Sequence, residues 1–168
     1  TVPALPTMVQ QVIILIPVYN DGNAVNQLLK ELANTLLPFN EYTFRVLVVD
    51  DGSTEPLTLR SPAGMETSLL HLVRNTGHQK AIAIGLSYIR EQYPAEKILV
   101  MDGDGEDRAD DAARMLHLST EHPEKIIFAR RHSRQESRLF RLFYKLYKFL
   151  FRLLTGKNIA FGNFSVSK

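Results

Sequence analysis

The sequence predicts an α/β fold, a mainly parallel sheet flanked by helices, from two observations. Short apolar runs at 11–20, 44–54, 69–73, 98–101 and 125–129 alternate with stretches at 23–36, 79–90 and 108–118, where apolar residues recur at three- and four-residue spacing. Strands and helices of these lengths in alternation make βαβ units. In addition, most of the apolar runs stop abruptly at acids, arginines or glycine turns. In such a sheet the carboxyl ends of the strands share one rim, which is where ligands bind.

The elements follow in order. Gln11-Val12-Ile13-Ile14-Leu15-Ile16-Pro17-Val18-Tyr19-Asn20 is apolar without alternation, as a strand covered on both faces should be. It is too short to span a bilayer and has no basic leader before it, so it reads as a strand and not as a signal or a transmembrane segment. The run from Phe44 ends in Asp50-Asp51-Gly52-Ser53-Thr54, and that from Leu69 in Arg74-Asn75-Thr76-Gly77. Gly77, Ala81 and Gly85 then recur every four residues, so they share one helix face and let a strand or ligand come close. Asp107, an acid opening a helix, reads as an N-cap.

The segment Ile98-Leu99-Val100-Met101-Asp102-Gly103-Asp104-Gly105-Glu106-Asp107 carries the most chemistry. Carboxylates spaced two apart at a strand end repel one another unless a cation neutralises them. Mg2+ takes one or two carboxylates and fills its remaining positions with water and substrate phosphates. The expected cation is Mg2+ or Mn2+, held by Asp102 and Asp104 with Glu106 as a third ligand or a water-bridged neighbour. None of the five histidines shows ligand spacing, so none is assigned to metal.

Taken in order, Pro17-Val18-Tyr19-Asn20, Val49-Asp50-Asp51-Gly52-Ser53, Arg74-Asn75-x-Gly77-x-x-x-Ala81-x-x-x-Gly85 and Met101-Asp102-Gly103-Asp104 resemble family 2 glycosyltransferases of the GT-A fold. The later Arg130-Arg131-His132-Ser133-Arg134-Gln135-Glu136-Ser137, Phe143-Tyr144 and Gly162-Asn163-Phe164 resemble the branch that glycosylates polyprenyl phosphates. The resemblance implies a Rossmann-like GT-A sheet and a nucleotide-sugar donor, with the nucleoside beside Asp50 and Asp51. It also implies donor contacts from Pro17, Tyr19, Asn20, Arg74, Asn75 and Asp102. Tyr19 is read either as a ring stacked on the base or as an interfacial tyrosine. The family has glutamine where Glu106 stands and prolines where Arg108-Ala109 stand, which makes Glu106 the departure within the cation set.

Arg130, Arg131 and Arg134 with Ser137 form a set of charge-assisted donors suited to phosphate oxygens, the alternative being a solvated basic loop. The expected catalytic residues are thus Asp104, Arg131, Arg134 and Ser137. A phosphate monoester has a second pKa near 6 and is an anion at neutral pH, so a lipid-phosphate acceptor needs no strong general base. A hydroxyl acceptor needs one, and the late chain has no acid cluster beyond Glu136. From 137 to 155 a basic amphipathic helix is expected, with Arg138, Arg141, Lys145, Lys148 and Arg152 on one stripe. Its apolar surface is far wider than the ~100° stripe of an ordinary surface helix. Either it lies on an anionic membrane surface or it packs against a missing neighbour, a second copy included.

Composition sets the outer limits. The 168 residues contain no cysteine, which excludes disulfides and thiolate metal sites and is compatible with a reducing cytosol. A net charge of +2 is too small to imply nucleic acid. No linker or repeat divides the chain, so residues 1–168 are expected to form a single catalytic domain. It lacks an initial methionine and stops where the resemblance implies more sequence, as an excised fragment would. The expected activity is inverting, metal-dependent transfer of a hexosyl unit from a nucleotide-diphosphate sugar to a polyprenyl phosphate at the cytosolic membrane face. The alternatives are transfer to a sugar or protein hydroxyl, or a non-catalytic nucleotide-sugar-binding module.

Overall fold

The computed structural model of the chain describes residues 9–129 and 164–167. Its elements are β1 (Gln10–Val18), α1 (Gly22–Leu36), β2 (Tyr42–Asp50), β3 (Glu66–His71), α2 (His78–Gln92), β4 (Lys97–Val100), α3 (Ala109–Glu121), β5 (Ile127–Phe128) and β6 (Ser165–Ser167). The strands form one sheet in the order β3-β2-β1-β4-β6-β5. β1 lies parallel to both β2 and β4, and β2 parallel to β3. β6 is antiparallel to β4 and to β5. The mainly parallel α/β architecture read from the sequence is present, and it departs from that reading at one edge. The expected strand at 125–129 shrinks to β5, and β6 was not foreseen, because three residues hold too little pattern to register as a strand.

Side chains of a strand point alternately to its two faces, and here each face carries its own core. Val12, Ile14, Ile16, Val46 and Val48 pack on Leu28, Leu29 and Leu32 of α1 and on Met115 and Leu116 of α3. Ile13, Leu15, Leu47 and Val49 face the other way, against Ala81, Ile82 and Ile89 of α2. Residues 12–16 of β1 are all fully buried, which is why that run shows no polar alternation. Each such side chain contributes about 1.5–3 kcal/mol relative to exposure.

Local signals set the helix starts. The Asp21 side chain accepts from the Ala24 N–H at 3.3 Å and caps α1. Gly77 precedes α2 with φ 92° and ψ 143° and gives no side-chain cap. At the opposite end of the sheet, Lys97 begins β4 almost wholly buried, its ammonium donating to Ser119 Oγ at 2.8 Å and Thr120 Oγ1 at 3.0 Å. Among the described residues no helix is long and apolar enough to cross a membrane. The helix expected at 137–155 lies outside the described residues.

The small-residue face of α2 is a packing device. A Cβ on Gly85 would stand 2.5 Å from Leu15 Cδ1 and 2.9 Å from Val49 Cγ2, both in the closed core. Gly85→Ala gains helix propensity, yet overpacking a filled core costs about 1–3 kcal/mol, more than the ~1 kcal/mol that propensity returns. We expect net destabilisation, read as a lower urea midpoint at unchanged slope.

Candidate active site

The chain leaves β1 toward β2 and β3 on one side, while β4 lies on the other, so the order reverses beside β1. That switch point is where open α/β sheets bind ligands. A cleft of about 490 Å³ opens there at the carboxyl ends of the strands. Pro17, Val18 and Tyr19 come to it from the end of β1, Asp51 from just past β2, Asn75 and Gly77 from the loop entering α2, His78 from its first residue, and Asp102, Gly103 and Asp104 from the loop after β4; Asp21 completes it.

The two adjacent acids at the end of β2 separate because successive side chains face opposite ways. Asp51 turns to the α2 side, is buried, and has both oxygens engaged. Oδ1 accepts from the Thr76 N–H at 2.7 Å and the Thr76 hydroxyl at 2.8 Å, and Oδ2 accepts from the Gly77 N–H at 2.9 Å. A helix without a cap of its own thus receives a carboxylate from a neighbouring strand, where the helix dipole favours negative charge. The turn below is equally tight: Gly52 has φ 71°, and a Cβ there would lie 2.4 Å from the Arg74 carbonyl carbon. Only glycine lets the 74–77 segment cross so closely.

Asp50 turns to the α1 side and does not line the cleft. In register with His71, its Oδ2 meets His71 Nδ1 at 2.8 Å, while Oδ1 accepts from the Ser53 N–H at 2.9 Å and the Ser53 hydroxyl at 2.5 Å. Ser53 Oγ in turn accepts from the Asn20 N–H at 2.9 Å. Asn20 Oδ1 accepts from the Thr54 N–H at 2.8 Å and its hydroxyl at 3.0 Å, which holds Asn20 at φ 55°. Asn20 and Asp50, expected as donor contacts, are therefore built into a brace joining the ends of β1, β2 and β3. Burial pushes the Asp50 carboxyl up, but the Ser53 and His71 hydrogen bonds outweigh it and hold it below its ordinary 3.8.

On β4 the expected cation trio is not assembled. Asp102 and Asp104 line the cleft, whereas Glu106 does not, and among the described residues no three acidic or histidine side chains converge as ligands. Between Asp104 and Glu106 the chain makes a tight turn, in which Asp104 Oδ1 accepts from the Glu106 N–H at 2.9 Å across Gly105 at φ 80°. Asp107 corrects a second expectation. It is buried, and its Oδ2 accepts from the Asp102 N–H at 2.8 Å, closing the acidic loop instead of capping α3.

Of the expected site residues, Pro17, Tyr19, Asp51, Asn75, Asp102 and Asp104 are brought together. Tyr19 is 47% exposed on the rim, which fits a free ring face better than an interior tyrosine. Arg74 is exposed outside the cleft and contributes its backbone over Gly52. Arg131, Arg134 and Ser137 lie outside the described residues. Sequence reasoning missed His78, whose Nε2 stands 3.1 Å from Asp102 Oδ1. Its position directly after Gly77, at the start of a helix on the rim, was the available signal.

The model of one family, glycosyl transferase family 2, matches residues 13–166. The chain belongs to that family. Family members similar to it include the undecaprenyl-phosphate 4-deoxy-4-formamido-L-arabinose transferases of Sodalis glossinidius, 24% identical over 95% of this chain and 48% of the relative, and of Klebsiella pneumoniae, 25% identical over 93% and 47%. The chain spans about half the length of these curated relatives. Among solved structures, the mannosyltransferase PcManGT of Pyrobaculum calidifontis, in complex with GDP-Man and Mn2+, aligns with TM-score 0.57 at 17% identity, over 94% of this chain and 44% of that one. S. aureus TarS 1–349 aligns with TM-score 0.55 at 20% identity, over 77% and 39%. These likenesses bear on the fold, and they agree with the GT-A expectation.

The brace has a pH signature. A depressed carboxylate contributes stability that is present above its unfolded value and lost as pH falls through the folded one. Ser53→Ala removes one hydrogen bond to a buried charge, about 1.5–3 kcal/mol, and with it the acceptor of the Asn20 N–H, so it should destabilise near pH 7 by at least that amount, the Asp50 share alone depending on pH. The deficit should shrink as pH falls below 3.8. Urea unfolding of both proteins from pH 7 to pH 3 measures this, and a pH-independent deficit would contradict the account.

Proposed function

We propose that residues 1–168 form a single glycosyltransferase catalytic domain. It transfers a hexosyl unit, with inversion, from a nucleotide-diphosphate sugar to a polyprenyl phosphate at the cytosolic membrane face. The observation that carries the reading is the pairing of Asp102 and Asp104 in a cleft at the switch point of the sheet. Two carboxylates lining an open cleft, Asp104 exposed and Asp102 mostly buried, suit Mg2+ or Mn2+ shared with a substrate diphosphate, and not a cation caged by protein alone. Such a cation, when bound, stabilises charge on the departing diphosphate. PcManGT, solved with GDP-Man and Mn2+, shares the fold.

The chain's own groups do the rest. Tyr19 and Pro17 offer an apolar wall at the rim for the base, Tyr19 by stacking. Asn75 supplies an amide beside it. The 75–77 segment, held by Asp51, fixes one side of the cleft. Arg130, Arg131 and Arg134 with Ser137 receive the acceptor phosphate by charge-assisted hydrogen bonds. The acceptor oxygen attacks the anomeric carbon, the bond from that carbon to the diphosphate oxygen breaks, and the nucleoside diphosphate leaves with the electron pair. One displacement inverts the centre. The acceptor is already anionic, so no proton need be taken from it. The relatives' names, undecaprenyl-phosphate transferases, support this acceptor class. The basic and apolar residues at 137–155 support seating on an anionic membrane, and pairing of two copies through the same segment is the competing use of that surface.

Two substitutions separate donor from acceptor. Asp104 is exposed, so Asp104→Asn should keep the thermal midpoint of the unliganded protein. It should weaken Mn2+-dependent binding of UDP or GDP by about tenfold or more, 1.4 kcal/mol per decade. Arg131→Ala or Arg134→Ala should lower transfer to undecaprenyl phosphate and spare nucleotide binding. Nucleotide affinity of the wild type that ignores chelator contradicts the cation reading. Nucleotide binding without any turnover contradicts the catalytic one.

A further inference from the structure

We infer that His78 is a diphosphate-contacting residue of the donor cleft, presented there by Asp102. This rests on the reading of the cleft as the donor site. Four carboxylates line the cleft, Asp21, Asp51, Asp102 and Asp104, and among the described residues lining it His78 is the sole basic side chain. A diphosphate entering such a cleft meets like charge, so it needs a cation and donor groups. The imidazole is the donor already in place.

Its placement is fixed from two sides. Gly77 is held through its N–H by Asp51 Oδ2 at 2.9 Å, and α2 begins at the next residue. The backbone of His78 therefore cannot drift while Asp51 keeps its hold. On the side-chain end, Nε2 stands 3.1 Å from Asp102 Oδ1. The contact holds the ring edge beside Asp102 on the lining of the cleft, where an imidazole N–H can serve a ligand oxygen. Asp102 is only 15% exposed in its side chain and His78 is 42% exposed. The carboxylate is the fixed partner, and the imidazole has room to turn toward a ligand. A cation on Asp102 would give that carboxylate another partner and leave the imidazole to a phosphate oxygen.

The test uses the phosphate count of the ligand as its readout. Affinities of UDP, UMP, GDP and GMP are measured by calorimetry for the wild type, His78→Ala and His78→Gln, in Mn2+ and in EDTA, with unfolding midpoints taken without ligand. His78→Ala should lose about tenfold on the bound diphosphate, the scale of one hydrogen bond to a charged group, and much less on the matching monophosphate. His78→Gln, which keeps a side-chain N–H, should recover most of the loss, and the unliganded midpoints should agree. An equal loss on mono- and diphosphate, or no loss, overturns the inference and leaves His78 as a strut on Asp102. Wild-type protein that binds none of the four ligands overturns the donor-site reading itself, a failure visible before any variant is made.

Discussion

The site depends first on the Asp51 carboxylate. It is buried at the end of β2 and accepts three hydrogen bonds from Thr76 and Gly77. Those bonds tie the segment that leads into α2 to the end of the strand next to the edge strand β3. Without them the Thr76 and Gly77 amides would lack these partners, α2 would have no carboxylate at its start, and one wall of the cleft would lose its anchor. A buried charge of this kind persists only where hydrogen bonds replace its hydration. Three donors on one carboxylate meet that requirement, and the negative charge at a helix N-terminus adds to it.

Around this anchor, the geometry follows from strand alternation. Asp50 and Asp51 are neighbours in sequence, yet one braces the α1 side through Ser53 and His71 and the other clamps the α2 side. Asp102 falls on the α2 side in the same way, which brings it to His78. Asp107 then returns to the Asp102 N–H and closes the acidic loop, so that Asp102 and Asp104 both reach the cleft. Backbone freedom is needed at few points, and Gly52 is the strictest, since the 74–77 segment passes within van der Waals distance of its Cα hydrogens.

Much of this was legible in the sequence. Uninterrupted apolar runs ending in acids disclosed a sheet with a polar rim, and four ordered motifs gave the family. Three-residue β6 was not legible, because its pairing with β4 is set by tertiary contact and not by its own pattern. The separate fates of Asp50 and Asp51 require knowing which face each strand position takes. Glu106 carried the right chemistry, but past the turn at Gly105 it does not line the cleft with Asp102 and Asp104. His78 shows no ligand spacing in the sequence, and its contact with Asp102 spans 24 positions that only the fold brings together. Asp107 looked like a cap because acids open helices, and the loop's need to satisfy the Asp102 N–H decided otherwise.

The most direct test of the account is hydrogen exchange at the Thr76 and Gly77 amides, resolved by NMR, in the wild type and in Asp51→Ala. If Asp51 anchors the cleft, both amides are protected in the wild type and exchange at least roughly tenfold faster in the variant, the consequence of losing about 1.4 kcal/mol or more of local stability. The amides of Ile14 and Leu15, in the centre of β1, stay slow, and nucleotide affinity falls together with the loop's protection. Protection at Thr76 and Gly77 that survives the substitution would contradict the account, because the loop would then be held by something other than Asp51.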